Sequence, residues 1–465
     1  MLFNSPIFLI GFLPIFLFLF RVAQGRSARL ASIVLLASSL FFYAWWDFRF
    51  VALLVASVAL NYALGKQLSL SKSRALLALS CALNLTPLLV YKYLPWIGNL
   101  TGWLSVQWAL PLGISFLTFV QIGFLVTCYR KDIVWRGFLS YANFITFFPH
   151  LIAGPILRHN ETIRSFDALF DTKPSSLFSE KFSNGLILLI LGLSKKVLIA
   201  DLLCAPVADS FFASPEKASV LDAWTGVLAF ACQIYFDFSG YCEMALGMSL
   251  MIGMAIPVNF LSPYRSRTIR EFWQRWHITL GQWFRDFVYI PLGGNRASEA
   301  RVCLTILFVF LLTGLWHGAG WNFLFWGVIH GLMMIIYRLW ALGQWRLPTW
   351  TAQALTLMFV VLAWIPFRAP NTEVMGSAFA ALVPAGQWSL DVLFTSSIAS
   401  TNQPISFALF LTIFVWCAKA QNIHEILAQG TRAKPSLRLA SALALLVFTC
   451  FLGMGSSTAF MYFEF

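Results

Sequence analysis

Residues 311–331, LLTGLWHGAGWNFLFWGVIHG, place two histidines, His317 and His330, among Trp316, Trp321 and Trp326. The stretch continues an uncharged run, 303–312. A titratable imidazole at bilayer depth is expensive, so it has either a satisfied structural role or a chemical one. Gly314, Gly318 and Gly320 bracket His317. They loosen a helix at that point and let a ligand come close to the backbone. His317 sits at the break and is the stronger candidate for chemistry. His330 lies in a smoother helical run, where packing and chemistry both stay open.

The surrounding chain fits a membrane setting. Of 465 residues, 59% are hydrophobic, 17% aromatic and 11% charged, whereas a soluble domain carries about a quarter charged residues. The first apolar run, 2–20, lacks a basic leader and a small-residue cleavage site, so it reads as a retained membrane helix. Net charge is +13, from 32 Lys and Arg against 19 Asp and Glu. Such an excess fits positive-inside loops beside anionic lipid better than nucleic-acid binding. It also suits a polyanionic cytosolic substrate such as a nucleotide or coenzyme A. The eight cysteines are scattered without CxxC or Cys/His spacing, which points to buried free thiols and to no metal site.

Apolar runs long enough to span follow at 30–46, 50–64, 75–91 and 109–128. The gaps after the first, third and fifth runs are the basic ones, carrying Arg21, Arg26 and Arg29, then Lys66, Lys72 and Arg74, then Arg130, Lys131 and Arg136. That alternation puts those gaps in the cytosol and the N-terminus on the far side. Residues 138–158 are apolar but carry Pro149, Gly154 and Pro155, the pattern of a broken or re-entrant helix. Residues 158–181 read as a polar loop. Asp237, Ser239 and Glu243 fall between two apolar runs, 223–238 and 245–258. They read either as a helix break with its kink at Gly240 or as the wall of a polar cavity, and two carboxylates at that depth favour the wall.

In 259–301, Ile269, Phe272, Trp273, Trp276, Leu280, Trp283, Phe284 and Phe287 recur at three- and four-residue steps between charged residues. This is an amphipathic helix or helix pair lying in the interface, aromatic face inward. Arg265, Arg267, Arg270 and Arg275 could attract an anionic donor. His277 lies one step off the aromatic stripe and reads as interfacial. His150 falls in the broken helix, and His159 and His424 in loops. Later apolar runs cover 327–342, 352–367, 407–418 and 439–453. Lys419, Arg432, Lys434 and Arg438 lie between the last two, and 371–403 has no clear assignment. The sum is an all-α polytopic protein with about eleven transmembrane helices plus re-entrant and interfacial ones, in one membrane domain, 1–465.

No P-loop, GxGxxG, GxSxG or HExxH is present, which removes common nucleotide-binding and hydrolase classes. What remains is histidine in an apolar pocket. A neutral imidazole shielded from water can take a proton from an alcohol attacking an acyl carbon, and tryptophans that exclude water protect a thioester. A proton-coupled transporter uses the same residue types. On an unbroken helix His317 and His330 would stand roughly 20 Å apart on different faces, so a shared role requires the chain to turn at residues 318–320.

GLWHGAGW with LFWGVIHG, YFDFSGYCEMALG, FFPHLIAGPILR and REFWQRWHITLGQWFRDFVYIPLGGNR resemble the signature blocks of bacterial membrane-bound O-acyltransferases, in the branch of alginate O-acetylase and related O-acetyltransferases. FYAWW and PLGISFLTF match as well. The resemblance covers most of the chain and weakens after Pro370, with a core of roughly 100–370. It implies helices around a central tunnel, with acetyl-coenzyme A as cytosolic donor and no permanently bound cofactor. It also implies a periplasmic SGNH-hydrolase-like partner that completes transfer to an exported polysaccharide. The family's essential histidine falls on His317 and its second histidine on His330. The acidic pair of the DFSGY block falls on Asp237 and Glu243, and Trp316 stands beside them in lining the site. Two departures are Glu243, where relatives more often have Asp, and Thr127, where they often carry Asp.

The expected protein is therefore an inner-membrane O-acetyltransferase. A different class, a polysaccharide or lipid-intermediate flippase without acyl chemistry, would show inverted repeats with paired broken helices, and the sequence has none. Transfer of another acyl group, or action on peptidoglycan or cellulose, keeps the fold and changes the substrate.

Overall fold

The computed structural model describes residues 1–102, 110–152, 154–171, 179–384, 403–428, 437–456 and 460–461. Among these there are helices and turns and no strand. Arg432, Lys434 and residues 385–402 lie outside the described set.

Among the described residues, six helices are long and apolar enough to cross a membrane: Ile7–Arg26, Arg49–Ser71, Arg74–Thr101, Glu299–His317, Trp321–Leu342 and Thr349–Arg368. Four shorter apolar helices join them, Ala28–Ala44, Ile114–Tyr129, Pro404–Cys417 and Ala440–Gly453. This is a multi-pass membrane protein. The sequence suggested about eleven spans. The remaining apolar runs belong to helices that are broken, as at Phe138–Thr146 and Phe148–Leu151, or that bury acids, as in Val220–Met251.

Local chemistry sets several boundaries. Ser27 ends one helix and opens the next, its side chain accepting from the Leu30 N–H at 3.2 Å. Lys72 takes a left-handed conformation, φ 48°, and Ser73 then caps the following helix through the Leu76 N–H. A capping hydroxyl satisfies a backbone donor that the first helical turn leaves without a partner.

The chain divides into two compact units. The first comprises Met1–Leu193, Gly240–Val258 and Ala442–Met454, the second Ser194–Ser239, Asn259–Ser441 and Gly455–Phe465. In the first unit the membrane helices are joined by buried amides. Asn61 and Asn84 exchange hydrogen bonds, 3.0 and 2.7 Å, and Asn61 also donates to Gln121. Phe148 packs among Phe8, Phe12, Phe16 and Phe42 at the broken helix.

Three expectations change. Residues 158–181 are not simply a loop, because His159–Asp171 is helical and packs Ile163, Phe166 and Leu169 inward. No helix break falls at Gly240, since Val220–Met251 is one helix. Part of the unassigned stretch forms the helix Thr372–Ala381, capped by the Asn371 side chain. The amphipathic segment is a pair, Ile269–Arg275 and Ile278–Phe284, with Ile269, Phe272, Trp276, Leu280, Trp283 and Phe284 buried as its periodicity requires.

Candidate active site

Within the second unit, Glu299–His317 and Trp321–Leu342 form an antiparallel hairpin joined by Gly318, Ala319 and Gly320. Their backbones nearly touch. A Cβ on Gly314 would lie 2.4 Å from the Phe323 carbonyl oxygen, and one on Gly327 would lie 2.5 Å from that of Phe310. Small residues at such crossings let membrane helices pack at van der Waals distance.

The hairpin brings together the histidines that thirteen residues of straight helix would separate. His317 ends the first helix and is 3% exposed. Its ring meets Trp316 at 4.8 Å, Trp326 at 5.0 Å and Phe367 at 5.1 Å between centroids. His330 is fully buried and meets the same Trp326 at 4.7 Å, with Trp273 and Phe359 each at 5.1 Å. One indole therefore touches both imidazoles. Neither ring nitrogen of His330 has a hydrogen-bond partner among the described residues, and the indole N–H groups of Trp273 and Trp326 are in the same position. A buried polar atom left unpaired costs about 1–3 kcal/mol, so a cluster of them marks a place where something else binds.

That something has room nearby. A cavity of about 560 Å³ is lined by one face of each hairpin helix. Ile306, Val309, Phe310 and Thr313 line it from the first helix. Their three- and four-residue steps continue to position 317, one turn beyond Thr313. From the second helix come Met334, Tyr337, Arg338 and Ala341, and positions 330, 334, 337 and 341 share one helical face. Neither histidine lines the cavity itself, and each stripe reaches its histidine one helical turn beyond its last lining residue, Thr313 or Met334. Trp273 and Phe310 are wall and ring contact at once, because each lines the cavity and packs on His330.

The four arginines singled out in the sequence separate. Arg270 lines the cavity. Arg265 pairs with Glu425 at 2.9 Å, and Arg275 pairs with Glu271 at 3.0 Å and donates to the Leu261 carbonyl at 3.1 Å. Arg267 is exposed, and its carbonyl accepts from the Thr356 hydroxyl. The other cavity cations are Arg285, ion-paired to Asp286, and Arg338, which pairs with Glu299 through two bonds of 2.8 and 2.9 Å and reaches Asn295. Sequence reading passed over Arg338, although its helical spacing from His330 was visible.

His277 is corrected outright. It is 1% exposed, not interfacial, and stands in a left-handed conformation, φ 44°, between the two amphipathic helices. Its Nδ1 is 3.2 Å from the Asn259 side-chain oxygen, and its ring packs on Trp316 and Phe238. Burial pushes its imidazole down to about 3, because desolvation disfavours the charged form. It is neutral at physiological pH. The clue in the sequence was a histidine directly after Trp276 in an otherwise regular stripe.

Asp237 is engaged elsewhere. Its carboxylate is 2.7 Å from the Lys196 ammonium, which also binds Asp201 at 2.8 Å, and all three side chains are buried. The second oxygen of Asp237 accepts the Met461 N–H at 3.0 Å. Glu243 is buried in the first unit. Among the described residues, no group of three His, Cys, Asp or Glu side chains could hold a metal ion.

Residues 83–369 match the family described as MBOAT, membrane-bound O-acyltransferase family. The chain is 36% identical to a probable alginate O-acetylase AlgI of Azotobacter vinelandii, over 94% of this chain and 88% of that one. It is 36% identical to a peptidoglycan O-acetyltransferase of Helicobacter pylori, over 80% and 78%. A teichoic acid D-alanyltransferase of Streptococcus thermophilus is 29% identical over 55% and 62%.

Proposed function

This chain belongs to the membrane-bound O-acyltransferase family, and from that footing we propose that it is the membrane O-acetyltransferase for an exported polysaccharide such as alginate. The acetyl donor is acetyl-coenzyme A, reaching the protein from the cytosol. The membrane is the bacterial inner membrane, with the N-terminus periplasmic in keeping with the basic gaps. An SGNH-hydrolase-like periplasmic partner completes delivery to the polymer. No cofactor is resident.

One observation carries the reading: the two cavity-lining stripes of the hairpin, each continued by one helical turn, reach buried histidines, and Trp273 and Phe310 link the cavity to His330. His317 acts as general base. Its imidazole takes the proton of the acceptor hydroxyl as that oxygen forms a bond to the thioester carbonyl carbon, and the C–S bond then breaks. The same imidazole returns the proton to the leaving sulfur, giving the free thiol. Trp316, Trp326 and Phe367 keep water from the thioester, and a dry site strengthens each polar contact within it. His330, whose ring nitrogens have no hydrogen-bond partner among the described residues, offers a hydrogen bond to the acyl donor. Arg270, Arg285 and Arg338 offer positive charge to its phosphates, and guanidinium suits phosphate by geometry as well as charge. Arg265 and Arg275, which stand outside the cavity lining, contribute less.

The experiment is coenzyme A release from acetyl-coenzyme A by purified protein in the presence of an acceptor. Release that is lost in His317→Ala at unchanged protein level supports the reading. Equal release by wild type and variant overturns it. Activity only with a D-alanyl donor redirects it to the chemistry named for the more distant relatives.

A further inference from the structure

The connection that ends in His317 is held by a residue with no part in the chemistry above. Asn322 lies in the first turn of Trp321–Leu342 and is 4% exposed. Its Nδ2 donates to the Ala369 carbonyl at 2.7 Å and to the Pro366 carbonyl at 3.2 Å. Both acceptors lie at the C-terminal end of Thr349–Arg368, where carbonyls lack intrahelical donors. Between those acceptors in sequence stands Phe367, one of the three rings against His317.

The glycine connection is shaped around the same anchor. A Cβ on Gly320 would lie 2.4 Å from the Asn322 side-chain oxygen, and one on Gly318 would lie 2.0 Å from the Phe323 ring. Phe323 in turn packs on Phe367 at 5.5 Å. The turn after His317, the start of the next helix and the end of a third helix therefore meet at one amide.

We propose that Asn322 is a positioning residue for His317: by tying the start of one helix to the carbonyls that flank Phe367, it fixes where the imidazole stands. The proposal rests on His317 as the reacting group, and it goes beyond that reading by naming what holds it. Alanine removes both donors. Aspartate keeps the size but turns acceptors toward two carbonyl oxygens. Serine keeps a single, shorter donor and falls between.

Two measurements decide it. In acetyl transfer, Asn322→Ala and Asn322→Asp lower kcat by about ten- to a hundredfold with KM for acetyl-coenzyme A within about twofold, because a misplaced base affects the reacting step and not donor binding. Asn322→Ser recovers part of the loss. Independently of any activity, an imidazole-acylating reagent is applied to detergent-purified protein and read by peptide mass spectrometry. His317 in Asn322→Ala reacts about tenfold faster than in wild type, while buried His150 keeps its rate; rate ratios of this size follow from local opening of a packed site. An unchanged His317 rate overturns the proposal, and so does a parallel rise at His150, which reports general loosening. Unchanged kcat in active protein also overturns it. If His317→Ala retains full turnover, the catalytic reading fails, and the labelling comparison still decides whether Asn322 holds that side chain.

Discussion

Two buried polar clusters in the second unit solve the same problem in opposite ways. Lys196 pairs with both Asp201 and Asp237, and Asp237 also accepts a backbone N–H. His330 is equally buried, and its ring nitrogens have no hydrogen-bond partner among the described residues. A charge removed from water is tolerated when its counter-charge comes with it. An imidazole can stay unpaired because it need not ionise, at a smaller penalty than a charge would carry. The contrast separates a cluster satisfied within the fold from one whose polar atoms have no internal hydrogen bonds among the described residues, and Trp273 and Phe310 connect the second to the cavity.

The hardest test of this contrast is His317→Ala. We expect acetyl transfer to fall by about a thousandfold, within the range a general base contributes, with membrane level and thermal unfolding unchanged. Unfolding of the variant would place the aromatic cluster with the structural one.

Lys196→Met should do the reverse. It strands two buried carboxylates and destabilises by about 3–5 kcal/mol, read as a lower melting temperature in detergent. Activity per folded molecule persists. Replacing Lys196, Asp201 and Asp237 together by apolar residues of similar volume should recover much of that stability, since an apolar isostere is often neutral or better.

Arg270→Ala and Arg338→Ala should each raise KM for acetyl-coenzyme A about tenfold at constant kcat, the mark of lost uniform binding. Arg265→Ala should move it less. A larger effect at Arg265 would shift the donor away from the cavity described.

The mildest effect is a pH response at His277. Its folded-state value, about 3, lies below the ordinary 6.5, so the unfolded state binds more protons between those values. Stability is complete above 6.5 and falls as pH drops toward 3. By pH 5.5 the loss from this group is about 1.4 kcal/mol, and His277→Gln should flatten the curve by that share in a detergent melting series.

Much of this was legible in the residues. The uncharged runs predict the membrane helices, because lipid admits only internally satisfied backbone. The aromatic steps of 269–287 predict a buried stripe and deliver one. The histidines were legible as candidates from their surroundings of tryptophan and glycine. Their arrangement was not. Helical periodicity describes one helix at a time, and His277 escaped it because a single left-handed residue broke the repeat.

The sequence by itself determined that this is an all-helical membrane protein with imidazoles placed where charge is disfavoured, since hydropathy and period are local properties. Only the tertiary structure decided which polar groups meet. It paired Asp237 with Lys196 across 41 positions, put Arg270 on the cavity and left Arg265 and Arg275 outside it, and turned the chain at 318–320 so that one indole touches His317 and His330. Such pairings depend on distances between segments that are remote in the chain, and those distances follow from packing.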